Sequence, residues 1–375
     1  VGAAGLAVGM AAPHVGFSNM FGTFVLSNLV GAQSVANVSH ALHSPLMAIT
    51  NAISGATVLG GMHLMAHASD PYVVGMAGTA TFLSAINIFG GFTVTDKMLN
   101  MFNRPSDPTT YYGYYNYPAA ATLGGFTLAA LAGYAEVGAI GSSLAAMLCI
   151  GGIAGLSSQS TARLGTISGQ TGIALGITMT MIATASDPTT AAAMIGLIGS
   201  GGLVGRYAAN RIELTSLPQA VAGFHSLVGL AAVLTAVGDY ATFHASADAL
   251  RMASIYAATT IGAVTTTGSL IAYGKLDGLL GSKPMVGLNP VNAALGLGVV
   301  GGGIMFANGM GGVGLATGLG SSALLGLSLT AGVGGADMPV VVTLLNSYSG
   351  WALCAEGFML SEPILTTIGA LIGCS

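Results

Sequence analysis

The ionisable residues of this chain stand almost entirely in the gaps between long apolar runs. Moving a charged side chain from water into hydrocarbon is costly, so runs that exclude charge read as helices crossing a lipid bilayer. A water-soluble domain carries about 25% charged residues, whereas here only 5% of 375 residues are charged and 53% are hydrophobic. The expected fold class is therefore all-α, a polytopic transmembrane helix bundle with the lipid bilayer as its immediate partner.

Crossing a hydrocarbon layer about 30 Å thick takes roughly 20 apolar residues. Cutting at the charged and proline-containing gaps gives about fourteen segments. They lie near 1–12, 20–33, 45–66, 73–94, 117–133, 138–158, 165–185, 189–205, 217–238, 250–273, 290–308, 313–332, 338–360 and 363–375. The longest gap, 95–116, holds Lys97, Arg104 and the tyrosines Tyr111, Tyr112, Tyr114 and Tyr115, which suit the headgroup level. It reads as a linker between a first helix group, 1–94, and a second, 117–375. The chain opens at Val1 without Met and closes at Ser375 inside an apolar run, so both ends read as cut edges of a longer polypeptide.

Sidedness follows from the basic residues. Lys97, Arg104, Arg163, Arg206, Arg211, Lys275 and Lys283 all fall in gaps after even-numbered segments, and Arg251 falls on the other side. Lys and Arg accumulate on the cytoplasmic or matrix side, which places those gaps and both chain ends there.

Composition excludes several classes. The net charge of −4 offers no basic patch for nucleic acid. Cys149, Cys354 and Cys374 sit in apolar runs without metal-ligand spacing, so no metal is expected. Residues 296–301, GLGVVG, match the dinucleotide fingerprint formally but follow no strand and open no βαβ unit. The sequon at Asn37 falls on the inner side, where sugar is not added. Glycine, 59 residues, is about twice its usual share. Pairs such as Gly151/Gly155 and Gly201/Gly205 have the spacing that lets membrane helices approach closely.

Six histidines (His14, His40, His43, His63, His67 and His244) lie near gaps, where a solvated ring needs no role. His225 differs. It stands eight residues into the ninth segment, about 12 Å deep at 1.5 Å per residue, with no charge within ten residues on either side. Imidazole gains and loses a proton most readily near neutral pH, and an ionisable group inside a membrane is functional by default. The bland alternative is a neutral ring that bridges two helices.

Asn346 lies eight residues into the thirteenth segment, at nearly the same depth, with Ser347 and Ser349 beside it. Asp337 and Pro339 mark the inner mouth of that segment, where Asp also serves as a helix cap. In the tenth segment Thr265, Thr266, Thr267 and Ser269 offer hydroxyls just before Lys275, although such hydroxyls often bond their own helix. Glu356 lies toward the outer face, either as an entry-side proton acceptor or as a side chain that snorkels to the surface.

The stretches GGADMPVVVTLLNSYSGWALCAEGFML, LPQAVAGFHSLVGLAAVLTA, GAVTTTGSLIAYGKLDG, ALHSPLMAITNAISG and INIFGGFTVTDKMLNMF closely resemble the membrane domain of the proton-translocating nicotinamide nucleotide transhydrogenases. The likeness runs through essentially the whole chain in order. It implies a proton-conducting domain coupled to hydride transfer between NAD(H) and NADP(H). The chain itself would bind no cofactor, since the nucleotides belong to two soluble domains of the same polypeptide, one on each side of the membrane domain. It implies that His225 is the proton-relay histidine, that Asn346 is its partner, and that Ser269 belongs to the path, to which the reading of the residues adds Glu356 on the entry side. Asp337, with Lys275 on the same side, would couple the bundle to the NADP(H) domain. Some members carry the histidine on the third helix instead, at the position of Ser54. The segment near 117–133 joins the two helix groups as in the single-polypeptide mitochondrial type. The expectation is thus a homodimer in the mitochondrial inner membrane, the alternative being a bacterial plasma membrane. The rival function is a proton-coupled secondary transporter of a small solute, which should show an inverted internal repeat; no convincing self-similarity between the halves is visible.

Overall fold

A computed structural model describes residues 15–36, 38–104, 106, 111–134, 136–185 and 187–375. The segment near 1–12, His14 and Asn37 lie outside the described residues. Among those described, every regular element is an α-helix or a short 3₁₀ turn, which agrees with the all-α bundle. The helices are α1 (Val15–Ala36), α2 (His43–Ser54), α3 (Thr57–His67), α4 (Pro71–Asn100), α5 (Asn116–Leu131), α6 (Val137–Ala154) and α7 (Gln159–Thr184). They continue as α8 (Pro188–Arg211), α9 (Leu217–Phe243), α10 (Ala249–Leu276), α11 (Asn289–Ala307), α12 (Gly311–Ala331), α13 (Met338–Leu360) and α14 (Pro363–Gly373). Eight of the described helices are long and apolar enough to cross a membrane.

The helices start where sequence chemistry says they should. Pro71, Pro188, Pro218, Pro339 and Pro363 occupy first-turn positions, where the missing N–H costs nothing. Asp70, Asp187 and Asp248 accept hydrogen bonds from the first free backbone N–H groups of α4, α8 and α10. Three threonine hydroxyls and one serine hydroxyl at Asp187 and Ser158 tighten neighbouring starts.

α9 is the axis of the bundle, packed along α10 and α4 and reaching α13 and α2. Close approach of α9 and α10 needs residues without side chains. A Cβ on Gly229 would lie 2.7 Å from Gly262 O, and one on Gly262 would lie 2.8 Å from Gly229 O. With hydrophobic burial absent as a drive between helices in lipid, such backbone contact supplies the van der Waals adhesion.

The third segment is one span in two pieces. α2 stops at Ser54, two residues turn, and α3 begins at Thr57. An interrupted helix leaves backbone groups without helical partners, which is tolerated at membrane depth only where protein supplies others. Here Asn51 O accepts from Asn87 Nδ2 at 2.7 Å and from Ser54 Oγ at 2.7 Å. Gly55 sits against Ile88 and Asn87, too close for any side chain.

Basic residues gather on one face. Lys97 Nζ donates to Ala209 O, Asn210 O and Ile212 O at the end of α8, at 2.8, 2.9 and 2.9 Å. Arg163 reaches Asn100 Oδ1 at 2.5 Å, and Gln219 at the start of α9 reaches Leu276 O at the end of α10, at 3.2 Å. These contacts bring the ends of α4, α8 and α10 together with the starts of α7 and α9. They also alter one boundary: α4 continues six residues into 95–116, because Lys97 is anchored to the carbonyl end of α8.

Candidate functional site

His225, Asn346 and Thr50 form one hydrogen-bonded chain across three helices. His225 Nε2 lies 2.9 Å from Asn346 Oδ1, and Asn346 Nδ2 donates to Thr50 Oγ1 at 2.7 Å. Thr50 Oγ1 in turn donates within α2, toward Leu46 O at 2.9 Å and Met47 O at 3.0 Å. All three side chains are buried, His225 completely. Its Nδ1 has no hydrogen-bond partner among the described residues. The two depths read from sequence thus meet, because α9 and α13 run side by side and each places its polar residue eight positions after its first.

α13 is held in register on its other side. Ser347 Oγ donates to Gly373 O of α14, and Ser349 Oγ donates to Asn346 O at 2.7 Å. Gly350 and Gly369 bring α13 and α14 into backbone contact, since a Cβ on Gly369 would lie 2.3 Å from Cys354 N. Asn346 therefore has little room to turn with its helix.

The tenth segment contributes differently from expectation. Thr265, Thr266 and Thr267 each donate to the carbonyl four residues back in their own helix, and Thr267 adds Ala323 O at 2.8 Å. Ser269 is fully buried, with its hydroxyl unpartnered, and makes no hydrogen bond to His225 or Asn346. The third span, through Thr50, supplies the second partner of Asn346.

Glu356 does not snorkel. It is wholly buried on α13, with its carboxyl beside Gly60 of α3 and Thr235 of α9, and with the Thr57 hydroxyl facing it. Neither carboxyl oxygen makes a hydrogen bond of normal geometry to the described residues. A buried carboxyl oxygen left without a protein donor requires water or a bound proton.

One helical turn farther along α9 lies a pair that sequence reading passed over. Asp239 is fully buried and takes a two-point grip from Arg251, with Nε to Oδ2 at 2.9 Å and Nη2 to Oδ1 at 2.5 Å. The guanidinium also lies 4.2 Å over the Phe243 ring. His63 of α3 stacks on His67 with ring centroids 4.3 Å apart, within electrostatic reach of Arg251. This charged cluster stands opposite the basic face. α9 runs four residues past Asp239, so the carboxylate is inside the span rather than at its edge.

At the basic face Lys275 is buried, and its ammonium donates to Ala331 O at 2.7 Å and Val333 O at 2.6 Å. Gly335 N reaches Ser282 O at 2.7 Å across the same loop pair. Asp337 is exposed at the end of this segment, ahead of α13. Lys275 thus anchors the strip of chain that presents Asp337, while Asp337 itself faces outward. No three His, Cys, Asp or Glu side chains among the described residues converge as a metal site.

Comparison with known proteins gives a consistent picture. Residues 139–375 match the family described as "NAD(P) transhydrogenase beta subunit". Residues 20–104 match "4TM region of pyridine nucleotide transhydrogenase, mitoch". Over 242 residues the chain is 40% identical to the NAD(P) transhydrogenase subunit beta of Rhodospirillum rubrum, covering 62% of this chain and 52% of that protein. Over 99 residues it is 48% identical to the NAD(P) transhydrogenase subunit alpha of Cereibacter sphaeroides, covering 26% of this chain and 18% of that protein. The chain therefore spans about half the length of the beta subunit that it matches.

Proposed function

Because this chain belongs to the NAD(P) transhydrogenase beta-subunit family, we propose that it is the proton-conducting membrane part of an enzyme that transfers hydride from NADH to NADP⁺. The observation that carries this reading is the buried His225–Asn346–Thr50 chain, a proton-capable group held by neutral hydrogen bonds at membrane depth. Protons enter from the face of Asp239, His63 and Arg251, rest at Glu356, reach His225, and leave toward Ser269 and Asp337. Helix hydroxyls and backbone along this route are already polar, which lowers the cost of a charge in transit.

Coupling works through linkage. The state of His225 biases the partners of Asn346, and α13 carries that bias to Asp337 at its start, while Lys275 holds the adjoining strip. An NADP(H) domain that docks at Asp337 then changes its nucleotide affinity with the protonation of His225, and reciprocally. The nucleotides bind soluble domains outside this chain. Likeness to both an alpha and a beta subunit in one chain supports the single-polypeptide arrangement. The reading further takes the protein as a homodimer in the mitochondrial inner membrane, the alternative being a bacterial plasma membrane, with the basic face toward the matrix. The first helix group, 1–94, and the second, 117–375, would be joined by the linker 95–116. The solute-transporter reading is not retained, since family membership ties the bundle to a transhydrogenase.

The test is His225→Ala in the intact protein, reconstituted in liposomes with a pH-sensitive dye. Hydride transfer should lose its proton uptake. A variant that still moves protons at the normal ratio to hydride overturns the reading.

A further inference from the structure

We infer that Thr50 is a positioning residue for His225: by fixing the Asn346 amide it makes Nδ1 the ring atom that takes up a proton. The inference deepens the proton-path reading and rests on it. A threonine hydroxyl owns one hydrogen. Thr50 directs that hydrogen into its own helix, to Leu46 O at 2.9 Å and Met47 O at 3.0 Å. Its oxygen is therefore free only to accept, which requires the NH₂ end of the Asn346 amide on the 2.7 Å contact. That turns Oδ1 toward His225, 2.9 Å from Nε2. An amide oxygen at that distance requires an N–H on Nε2. A neutral imidazole has one N–H, so Nδ1 carries the lone pair, and Nδ1 is the buried ring atom without a protein partner.

The opposite arrangement is equally easy to write. Thr50 would release both carbonyls and donate to Oδ1, the amide NH₂ would donate to Nε2, and the ring N–H would move to Nδ1. Three neutral groups thus form a two-state device. Protonation removes one of the states. When a proton binds the lone pair of Nδ1, the imidazolium carries N–H on both nitrogens, and the Nε2–H to Oδ1 bond is kept. No other bond breaks, and release is the reverse step from Nδ1. An imidazolium facing the amide NH₂ would set donor against donor, so the charged ring locks Asn346, and Asn346 locks the Thr50 oxygen. Thr50 lies on α2 four residues before Ser54, where that helix ends. The lock therefore acts on the interrupted span, the element of the site with the fewest helical hydrogen bonds of its own.

The experiment is ¹⁵N-histidine solid-state NMR on the intact protein in lipid bilayers, with proton passage measured on the same samples. The chain has 7 histidines, so the His225 signals are assigned by difference against His225→Gln. The wild-type neutral ring should show a lone pair on Nδ1 and N–H on Nε2. Thr50→Val keeps the shape without the hydroxyl; it should mix or invert the tautomers and slow proton passage about tenfold, the scale of one lost hydrogen bond. Thr50→Ser should restore both. N–H on Nδ1 in the wild type overturns the inference, as does a Thr50→Val protein with unchanged spectrum and rate. If Thr50→Val does not assemble, the wild-type spectrum decides alone. Failure of the wider reading looks different: His225→Ala would still pass protons while the wild-type spectrum shows the Nε2–H form.

Discussion

α9 and α11 are both apolar enough to cross a membrane, yet α9 is mostly buried inside the protein and α11 hardly at all. Lipid and protein interior are alike to an apolar side chain, so hydropathy finds both helices and cannot say which one forms the core. Polar content separates them. α9 carries His225, Thr235 and Asp239, all fully buried, while α11 carries no titratable residue. A polar side chain on a lipid-facing helix has nothing to bond, whereas one on a central helix finds partners on three neighbours. The core of such a bundle is best located by its buried polar groups.

The sharpest way to break that contrast is to unpair a charge on the central helix. Asp239→Ala leaves the Arg251 guanidinium, itself a quarter exposed, without its two-point partner. Removing one member of a fully buried ion pair costs about 3–5 kcal/mol; with one member reaching the surface the loss should lie toward the lower end, and thermal unfolding in detergent should still fall clearly. The double variant Asp239→Leu with Arg251→Met, which removes both charges, should recover most of that loss. A single variant as stable as the wild type would show that the pair lies in water rather than in the core.

Asn346→Leu is the next step down. It leaves the His225 Nε2–H and the Thr50 hydroxyl without their shared partner, at about 1–3 kcal/mol for buried unsatisfied groups. Proton passage should fall together with stability, and the two losses should not be recovered by an apolar substitution at Thr50. A stable Asn346→Leu protein with normal proton passage would remove Asn346 from the relay.

These two residues show what was legible from sequence. His225 and Asn346 stood out because polar atoms eight residues inside long apolar runs have no cheap reason to be there. Thr50 gave no such signal. A mid-span threonine usually bonds the carbonyl four residues back, and Thr265, Thr266 and Thr267 do just that. Thr50 makes the same local bond and also accepts from Asn346, a second role visible only when α2 lies beside α13. Asp239 escaped because the ninth segment was ended at 238, whereas α9 runs to Phe243. The interruption after Ser54 was hidden by the abundance of glycine, which makes one helix-breaking Gly–Ala step look like many harmless ones. Ser269 is placed where the tenth segment predicts, but without a bond to the relay; its role remains one for the exit side of the proposed path.

On the peripheral side the effects should shrink. The Asp187 carboxyl caps α8 and accepts from the side-chain hydroxyls and backbone N–H groups of Thr189 and Thr190. The Thr189 hydroxyl first, and then those of Thr190, hold its pKa below the ordinary carboxylate value. A depressed folded-state pKa contributes stability that is present above the unfolded value, near 4, and is lost as pH falls through the folded one. Asparagine caps a helix about as well as aspartate but does not titrate. Asp187→Asn should therefore leave neutral-pH stability nearly unchanged and flatten the loss of melting temperature below about pH 4. An acid limb identical to that of the wild type would show that the cap is not charged in the folded protein.

The smallest effect is expected at Leu297 of α11, a residue 72% exposed in the isolated chain. In a bilayer that side chain exchanges lipid contacts for lipid contacts whether the helix is folded against α12 or not, so truncation removes little that folding had gained. Leu297→Ala should change stability by no more than about 0.5 kcal/mol. The same truncation at Leu345, buried on α13 against Gly268 of α10, should cost about 2–5 kcal/mol through lost packing and the cavity left behind. Unfolding both variants in detergent under one set of conditions tests the assignment of centre and rim without any functional assay. If Leu297→Ala matched the loss at Leu345, the outer face of α11 would be covered by protein in the assembled enzyme, and that face would mark a subunit contact.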